Sequence, residues 1–533
     1  MPDAIRETSG AARAGAPGDA AQQRVAALSL LPPALLLATL LHLRQVAYLA
    51  TPGNRYASHW ERADGVALVA TLLATALLLF GAALGLSRAR WPWLRRALAP
   101  FWIWVAGNSL LALATFWDPP RSALRAGWLL TLALALASAF LARERIERAA
   151  LRVGRALLLL PVATLVQILW WAPWGSPLDP LAPPAEPAGP GPPVVLVIFD
   201  GWSAQESLDQ GRFRRFLPNL RALALRSLSF PRALAPSFDT AESVPRLLFG
   251  RGEGWRIEPE NAAAFWRREP APGEGVGERE AVLGSANLFQ PFAQRGYRTV
   301  LTGYYLPYRR LLGPEVEVVR SEPHVPRGRS LSERFRVRTL AGARYLQGPG
   351  AAARLLAEHR LRYSETWYAL NQRVLADTLE VLERWPRKTL LFSHFPMPHP
   401  PFVVDSDGSF RGPYRRDRSS GTRADYRRHL RNVDRIVGLL VETLERRGHF
   451  DDALIVLTGD HGWKRHDRRV LHVPLLVKWP AQTQAAFFAP VFPTRALPGL
   501  LELAARGGAG LNEAADYLSR HAQPTGPDEV FPE

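Results

Sequence analysis

Cysteine is absent from the 533-residue chain. That excludes disulfides, thiolate zinc centres and cysteine nucleophiles, so any nucleophile must be a different side chain. Lysine is almost absent too, because only Lys388, Lys464 and Lys478 occur among the 66 basic residues. The formal charge of +18 is therefore carried by arginine, in a background rich in alanine, proline and glycine. That bias fits a GC-rich coding sequence. The chain has no basic motif interleaved with aromatics, so nucleic acid is not expected as a partner. It also has no internal repeat.

Long apolar runs are plentiful, but confined to the first third. Five stretches, beginning near Val25, Val66, Leu98, Gly127 and Ala156, each approach the ~20 residues needed to cross a bilayer. A polar leader of residues 1–24 precedes them, and further spans follow, so the first is not read as a cleavable signal peptide. Arginine collects in the second loop (Arg88, Arg90, Arg95, Arg96) and the fourth (Arg143, Arg145, Arg148, Arg152, Arg155). The third loop carries only Arg121 and Arg125, and the first carries Arg44, Arg55 and Arg62. The positive-inside rule then predicts a cytoplasmic N-terminus, a transmembrane domain over 25–174, and everything beyond it outside an inner cell membrane. Trp170, Trp171 and Trp174 suit an aromatic belt at the outer interface.

Residues 175–193 are proline-rich and read as an extended linker. From 194 to 533, short β-branched runs alternate with Leu/Ala/Arg helices. That pattern predicts an α/β domain with a central, largely parallel sheet. Leu331 to Gly348 and the tail after Leu511 read as solvated helices and loops.

Two strands end on carboxylates. VVLVIFDG ends at Asp200, and LIVLTGDHG ends at Asp460 with His461 beside it. Ligands of open parallel sheets bind beyond the carboxyl ends of strands, so Asp200, Asp460 and His461 are candidate metal ligands. Hard oxygens with one imidazole suit zinc or manganese, with magnesium or calcium as alternatives. Taken singly, each aspartate also reads as a turn or capping residue. The stretch FSHFPMPHPPF supplies His394, which reads equally as a core histidine, and His399, held between prolines where it can meet an anionic oxygen or a metal. His472 starts another strand, and His466 lies in an Arg-rich loop. The candidate hydroxyl nucleophiles are Thr240 and Ser243 in APSFDTAESVPRLLFGR. A Ser or Thr just before a helix ordinarily caps it. The same helix N-terminus also attracts phosphate or sulfate.

In this order and spacing, VVLVIFDG, LPNLRALALRSLSF, SFDTAESVPRLLFG, QRGYRTVLTGYYLPY, HFPMPHPPF and LTGDHG with LHVPLLVKWP resemble the sulfatase-like branch of the alkaline phosphatase superfamily. With the apolar N-terminal half, the chain resembles its membrane-anchored members, the lipid A phosphoethanolamine transferases and lipoteichoic acid synthases. The resemblance implies Thr240 as nucleophile, since Thr240-Ala241-Glu242-Ser243-Val244-Pro245 reproduces the transferase pattern. It implies Asp200, Thr240, Asp460 and His461 as metal ligands, with His399 and His472 as phosphate-contacting or acid–base residues. The expected reaction moves a phospho-alcohol from a phospholipid donor to an envelope glycan or lipid through Thr240. An aspartate at 200 is the commoner sulfatase choice, and the cysteine pairs common in the transferases are missing. Formylglycine chemistry is disfavoured, because Leu247 stands where the Ser-x-Pro-x-Arg motif needs arginine. The alternatives are a hydrolase of phosphate or sulfate esters and a silent membrane scaffold.

Overall fold

The computed structural model describes residues 17–57, 59–114, 121–141, 143–171, 191–252, 254–260, 263–268, 277–323, 330–343, 346, 348–414, 421–464, 471–506 and 511–523. Most of the leader, the linker up to 190, and His466 lie outside them. The chain divides into two units. One comprises Met1–Tyr48, Arg62–Ala172 and Gly328–Leu355, and the other Leu49–Glu61, Pro173–Arg327 and Leu356–Glu533.

In the first unit the five apolar stretches are all helical, as Leu31–Ala50, Arg62–Ser87, Leu98–Ala114, Arg121–Ser138 and Leu159–Trp171. The expectation of five spans is nevertheless corrected. Among the described residues only two helices are long and apolar enough to cross a membrane: Arg24–Ala50 (27 residues) and Arg62–Ser87 (26 residues). A third span exists only if Arg125–Ser138 and Arg143–Ala156, bent by 117° at their junction, count as one. Leu159–Trp171, at 13 residues, rises roughly 20 Å against a hydrocarbon core of about 30 Å. Apolar length in sequence does not guarantee a straight helix. The arginines read as a fourth loop form the helix Arg143–Ala156 instead.

The second unit is built on a nine-stranded sheet. The strand Val194–Phe199 lies at its centre, pairing in parallel with Thr389–Phe395 on one side and Leu454–Gly459 on the other. Arg298–Tyr304 and Val318–Glu322 continue the parallel run. Beyond Leu454–Gly459, His472–Lys478 runs antiparallel, and Leu228–Leu234 then restores the first direction. The central strand is buried on both faces, which is why its sequence is a continuous apolar run rather than an alternation. Val194, Leu196 and Ile198 enter one core, and Val195, Val197 and Phe199 enter the other. The second core is covered by the helix Arg423–Arg446. Its start is fixed by a reciprocal capping box between Thr422 and Asp425.

This topology gathers one edge of the sheet into a site. The carboxyl ends of Val194–Phe199, Leu454–Gly459, Thr389–Phe395, Arg298–Tyr304 and Leu228–Leu234 all face the same way. The antiparallel strand brings its first residue, His472, to that edge.

His429, fully buried on the Arg423–Arg446 helix, is held as a neutral ring. Nδ1 bonds the Pro398 carbonyl at 3.2 Å, and Nε2 accepts the Val404 N–H at 3.4 Å. Burial lowers its pKa from 6.5 to about 4. A folded pKa below the unfolded one means that the unfolded chain binds protons first as pH falls. The stability from neutral His429 is therefore full above pH 6.5 and is lost between pH 6.5 and 4, at up to about 1.4 kcal/mol per pH unit. Thermal unfolding of the full chain is expected to move to lower temperature across that window. H429Q is expected to give a lower midpoint at neutral pH but a shallower slope between pH 6.5 and 4.

Candidate active site

Asp460 organises the site. Its Oδ1 accepts the Gly201 N–H at 2.8 Å and the His461 N–H at 2.8 Å, while Oδ2 accepts the Thr240 hydroxyl at 2.7 Å. One carboxylate thereby joins three segments: the turn after Val194–Phe199, the end of Leu454–Gly459, and the helix Thr240–Leu248. His461 Nδ1 donates to the Gly462 carbonyl at 2.8 Å, so in the neutral ring, the form able to bind a metal, Nε2 carries the lone pair. That Nε2 lies 3.3 Å from Thr240 Oγ1, 3.4 Å from Asp200 Oδ1 and 3.6 Å from Asp460 Oδ2.

Asp200 is placed by its own backbone, whose N–H donates to the Phe395 carbonyl at 3.0 Å. The turn that follows needs glycine, because Gly201 has φ +73°. A Cβ there would stand 3.7 Å from His461 Cε1 and 3.9 Å from His399 Cβ, which is ordinary van der Waals contact, so the positive φ and not crowding calls for glycine. Tyr426 secures the same turn, donating its hydroxyl to the Gly201 carbonyl at 2.7 Å and accepting the Ser203 N–H at 2.9 Å. Trp463 stacks on Tyr426 with ring centroids 4.3 Å apart.

Thr240 is the first residue of its helix, and Asp239 is the N-cap. Capping is thus not the role of the Thr240 hydroxyl, which faces Asp460 and His461. The two candidate hydroxyls part company here, since Ser243 is fully buried and its Oγ donates to the Asp460 main-chain carbonyl.

The electrostatics call for a cation. Burial pushes the Asp200 carboxyl well above the usual range, and the Asp460 charge adds to the effect. For Asp460 burial acts in the same direction, but His461, His394 and the bonds from Thr240 and Gly201 outweigh it and hold the group low. Two buried carboxylates this close cannot both ionise without a compensating positive charge. Asp200 Oδ1 is buried with no hydrogen-bond partner. One donor atom each from Asp200, Asp460 and His461 fall within 4.8 Å of one another. A hard divalent cation fits this set, with Thr240 Oγ1 beside it.

The remaining expected residues divide. His399 packs beside Gly201, its Nδ1 donating to the Pro400 carbonyl at 2.6 Å, and its ring lies 6.1 Å from Trp367. His472 directs Nε2 to the Pro231 carbonyl at 2.5 Å and is not among the grouped donor atoms. His394 is a fully buried residue of Thr389–Phe395, with Nδ1 2.7 Å from the Tyr308 hydroxyl and a pKa lowered by burial to about 4. Sequence reasoning passed over Tyr304, whose hydroxyl donates to Asp200 Oδ2. Its signal was available, because Tyr304 ends a parallel strand of the same sheet in QRGYRTVLTGYYLPY.

The sequence profile of the family described as Sulfatase matches residues 192–505, more than half of the chain. The chain belongs to the sulfatase family, within the alkaline phosphatase superfamily. No curated protein matches it. A solved putative sulfatase from Bacteroides thetaiotaomicron VPI-5482 is similar at 13% identity and TM-score 0.40, over 63% of this chain and 76% of that one. The phosphonate monoester hydrolase of Agrobacterium radiobacter is similar at 15% identity and TM-score 0.38, over 63% and 78%. That of Silicibacter pomeroyi is similar at 16% and 0.38, over 64% and 78%. These likenesses concern the fold alone. Enzymes of this superfamily usually use a divalent metal, in keeping with the Asp200–Asp460–His461 group.

Metal binding is directly measurable. Adding zinc or manganese to chelator-treated full-length protein is expected to raise its unfolding temperature saturably, by the equivalent of about 2.7 kcal/mol at one hundred times Kd. D460N is expected to remove most of that shift. An equal shift in the variant would place the metal elsewhere.

Proposed function

We propose that this chain is a metal-dependent, membrane-anchored phosphotransferase. It moves a phospho-alcohol, such as phosphoethanolamine or phosphoglycerol, from a phospholipid donor to a glycan or lipid of the cell envelope. The observation that carries this reading is Thr240. Its hydroxyl, rather than that of Ser243, lies 2.7 Å from Asp460 and 3.3 Å from His461 at the N-terminus of a helix. Apolar helices on the same chain would keep such a site near lipid donors, and with a cytoplasmic N-terminus a count of three spans, the bent pair crossing as one, would put the catalytic unit outside an inner membrane.

A divalent cation held by Asp200, Asp460 and His461 would supply positive charge that lowers the Thr240 hydroxyl pKa and offsets the phosphoryl oxygens. Thr240 Oγ1 then attacks phosphorus as an oxyanion. The Oγ1–P bond forms, the bond from phosphorus to the diacylglycerol oxygen breaks, and that oxygen takes a proton from His399. In the second step an acceptor hydroxyl attacks the same phosphorus, its proton passes to His399, and Thr240 Oγ1 leaves as the oxyanion. His399 is assigned this role because it packs beside the Gly201 turn, at the edge of the sheet that also carries Thr240. His472 is assigned to orienting phosphoryl oxygens at the same edge. Free N–H groups at the start of the Thr240–Leu248 helix, with the helix dipole, favour the anionic group.

A second reading, hydrolysis of phosphate or sulfate esters at the cell surface, is favoured by one observation: Asp200, rather than glutamate, ends the first strand. It uses the same first step, with water as the acceptor.

The experiment supplies the full-length enzyme with fluorescent phosphatidylethanolamine and phosphatidylglycerol in vesicles and follows diacylglycerol release. It also measures the mass of the tryptic peptide Ala233–Arg246. The wild-type protein is expected to release diacylglycerol and carry a phospho-alcohol adduct on Thr240. T240A is expected to lose both, with a rate reduced by at least about 10³-fold. S243A is expected to keep the adduct. An aldehyde at Ser243 would replace the proposal with sulfatase chemistry, and release of free phospho-alcohol without labelled acceptor would select the hydrolase.

A further inference from the structure

The helix Leu331–Ala343, read in sequence as solvated, belongs to the unit of apolar helices and is turned inside out. Two of its three arginines face inward. Arg334 is buried, with Nη1 2.9 Å from Asp64 Oδ2, and Arg338 Nη2 lies 3.3 Å from Asp64 Oδ1. Asp64 is itself buried in the first turn of the Arg62–Ser87 helix. Val337 and Leu340 point outward instead, 45% and 52% exposed.

The segment also runs lengthwise along the apolar helices. The Gln45 amide donates to the Arg338 carbonyl at 3.1 Å. A Cβ on Gly342 would fall 2.1 Å from His42 Cε1, so the backbone lies directly on that ring. His42 Nε2 is 3.1 Å from Thr75 Oγ1. From Asp64 to Thr75 the span rises roughly 16 Å at about 1.5 Å per residue, which is half the thickness of a hydrocarbon core. Leu346 packs on the cluster of Leu37, Leu41, Ala76 and Trp102, and its carbonyl accepts the Trp104 indole N–H at 3.3 Å. Contacts therefore follow the span from its first turn to its middle.

We propose that residues 331–346 form a re-entrant element that enters the bilayer beside the Arg62–Ser87 span. Val337 and Leu340 touch acyl chains, and Arg334 and Arg338 are both paired with Asp64. The occupant of the outward face is lipid, because that face lies along a helix whose own outward residues are Leu73, Leu77 and Leu78. A solvated helix would present its arginines to water and bury its apolar side chains; here Arg334 and Arg338 turn inward while Val337 and Leu340 turn outward. Arg336, exposed on the outer side, has the length to carry its guanidinium to headgroup phosphates. The proposal rests on membrane anchoring by the apolar helices and not on the phosphoryl chemistry.

The absence of cysteine makes the test clean. L340C, L77C on the span and L225C on the α/β unit are each labelled with an environment-sensitive nitrobenzoxadiazole maleimide. The full-length proteins are reconstituted in phosphatidylcholine–phosphatidylglycerol nanodiscs, with or without doxyl-labelled acyl chains. The 340 label is expected to lose most of its fluorescence to the doxyl lipid, as the 77 label does, and to resist aqueous iodide. The 225 label is expected to behave in the opposite way. Quenching at 340 by iodide alone overturns the proposal, as does protection from both quenchers, which would mean that protein covers the face. Failure of the 77 label to respond to lipid would instead defeat the anchoring on which the proposal stands. Added to L340C, D64N is expected to shift the 340 label toward iodide quenching, while D64E preserves the lipid response.

Discussion

Everything in the α/β unit that bears on chemistry converges on the Asp460 carboxylate. It accepts two backbone N–H groups and one hydroxyl, from segments far apart in sequence. A buried carboxylate with its lone pairs committed in this way has no freedom to rotate, so it sets where Gly201, His461 and Thr240 stand. The Asp200 loop is tied to it through the Gly201 N–H, and again to the Arg423–Arg446 helix through Tyr426. A substitution at Asp460 would thus release Thr240, His461 and the Asp200 loop together.

The same concentration of charge suits the site to a cation. Burial disfavours ionisation of both aspartates, yet His461 and then the hydrogen bonds around Asp460 hold its pKa low, whereas that of Asp200 is raised. The imbalance is resolved by positive charge placed between them, where the unpartnered Asp200 Oδ1 and the His461 lone pair already point. Tyr304 holds the other oxygen of Asp200 and so restricts which oxygen faces the shared space.

The apolar unit poses an opposite electrostatic problem with a similar solution. Asp64 is buried at the start of a span, and charge is tolerated there because Arg334 and Arg338 meet it within hydrogen-bonding distance. Truncating either side would leave an uncompensated buried charge. The pairing fixes the rotation of the Leu331–Ala343 helix about its axis, and that rotation alone decides that Val337 and Leu340 face outward.

Much of this was legible in the residues. The central strand was evident because burial on both faces leaves an uninterrupted β-branched run, and Asp200, Asp460 and His461 stood at strand ends where open parallel sheets bind ligands. The choice between Thr240 and Ser243 was not legible, since both are hydroxyls in one helical turn and only tertiary packing turns Ser243 onto a main-chain carbonyl. Tyr304 was missed because a tyrosine at a strand end looks like any other until its partner is known. Five spans were expected because hydropathy sums composition, whereas crossing a bilayer requires a helix that is long enough and stays straight, and among the described residues only two clearly are. The Leu331–Ala343 helix was misread for a related reason: arginine counts as solvated until a distant carboxylate meets it. By itself the sequence determined what is local, namely strand and helix periodicity, the exclusion of thiol chemistry and the side chains able to hold metal or attack phosphorus. Which of those side chains meet, which helices cross and which face a helix shows to its surroundings were decided by the tertiary structure, because each depends on partners brought together only when the chain folds.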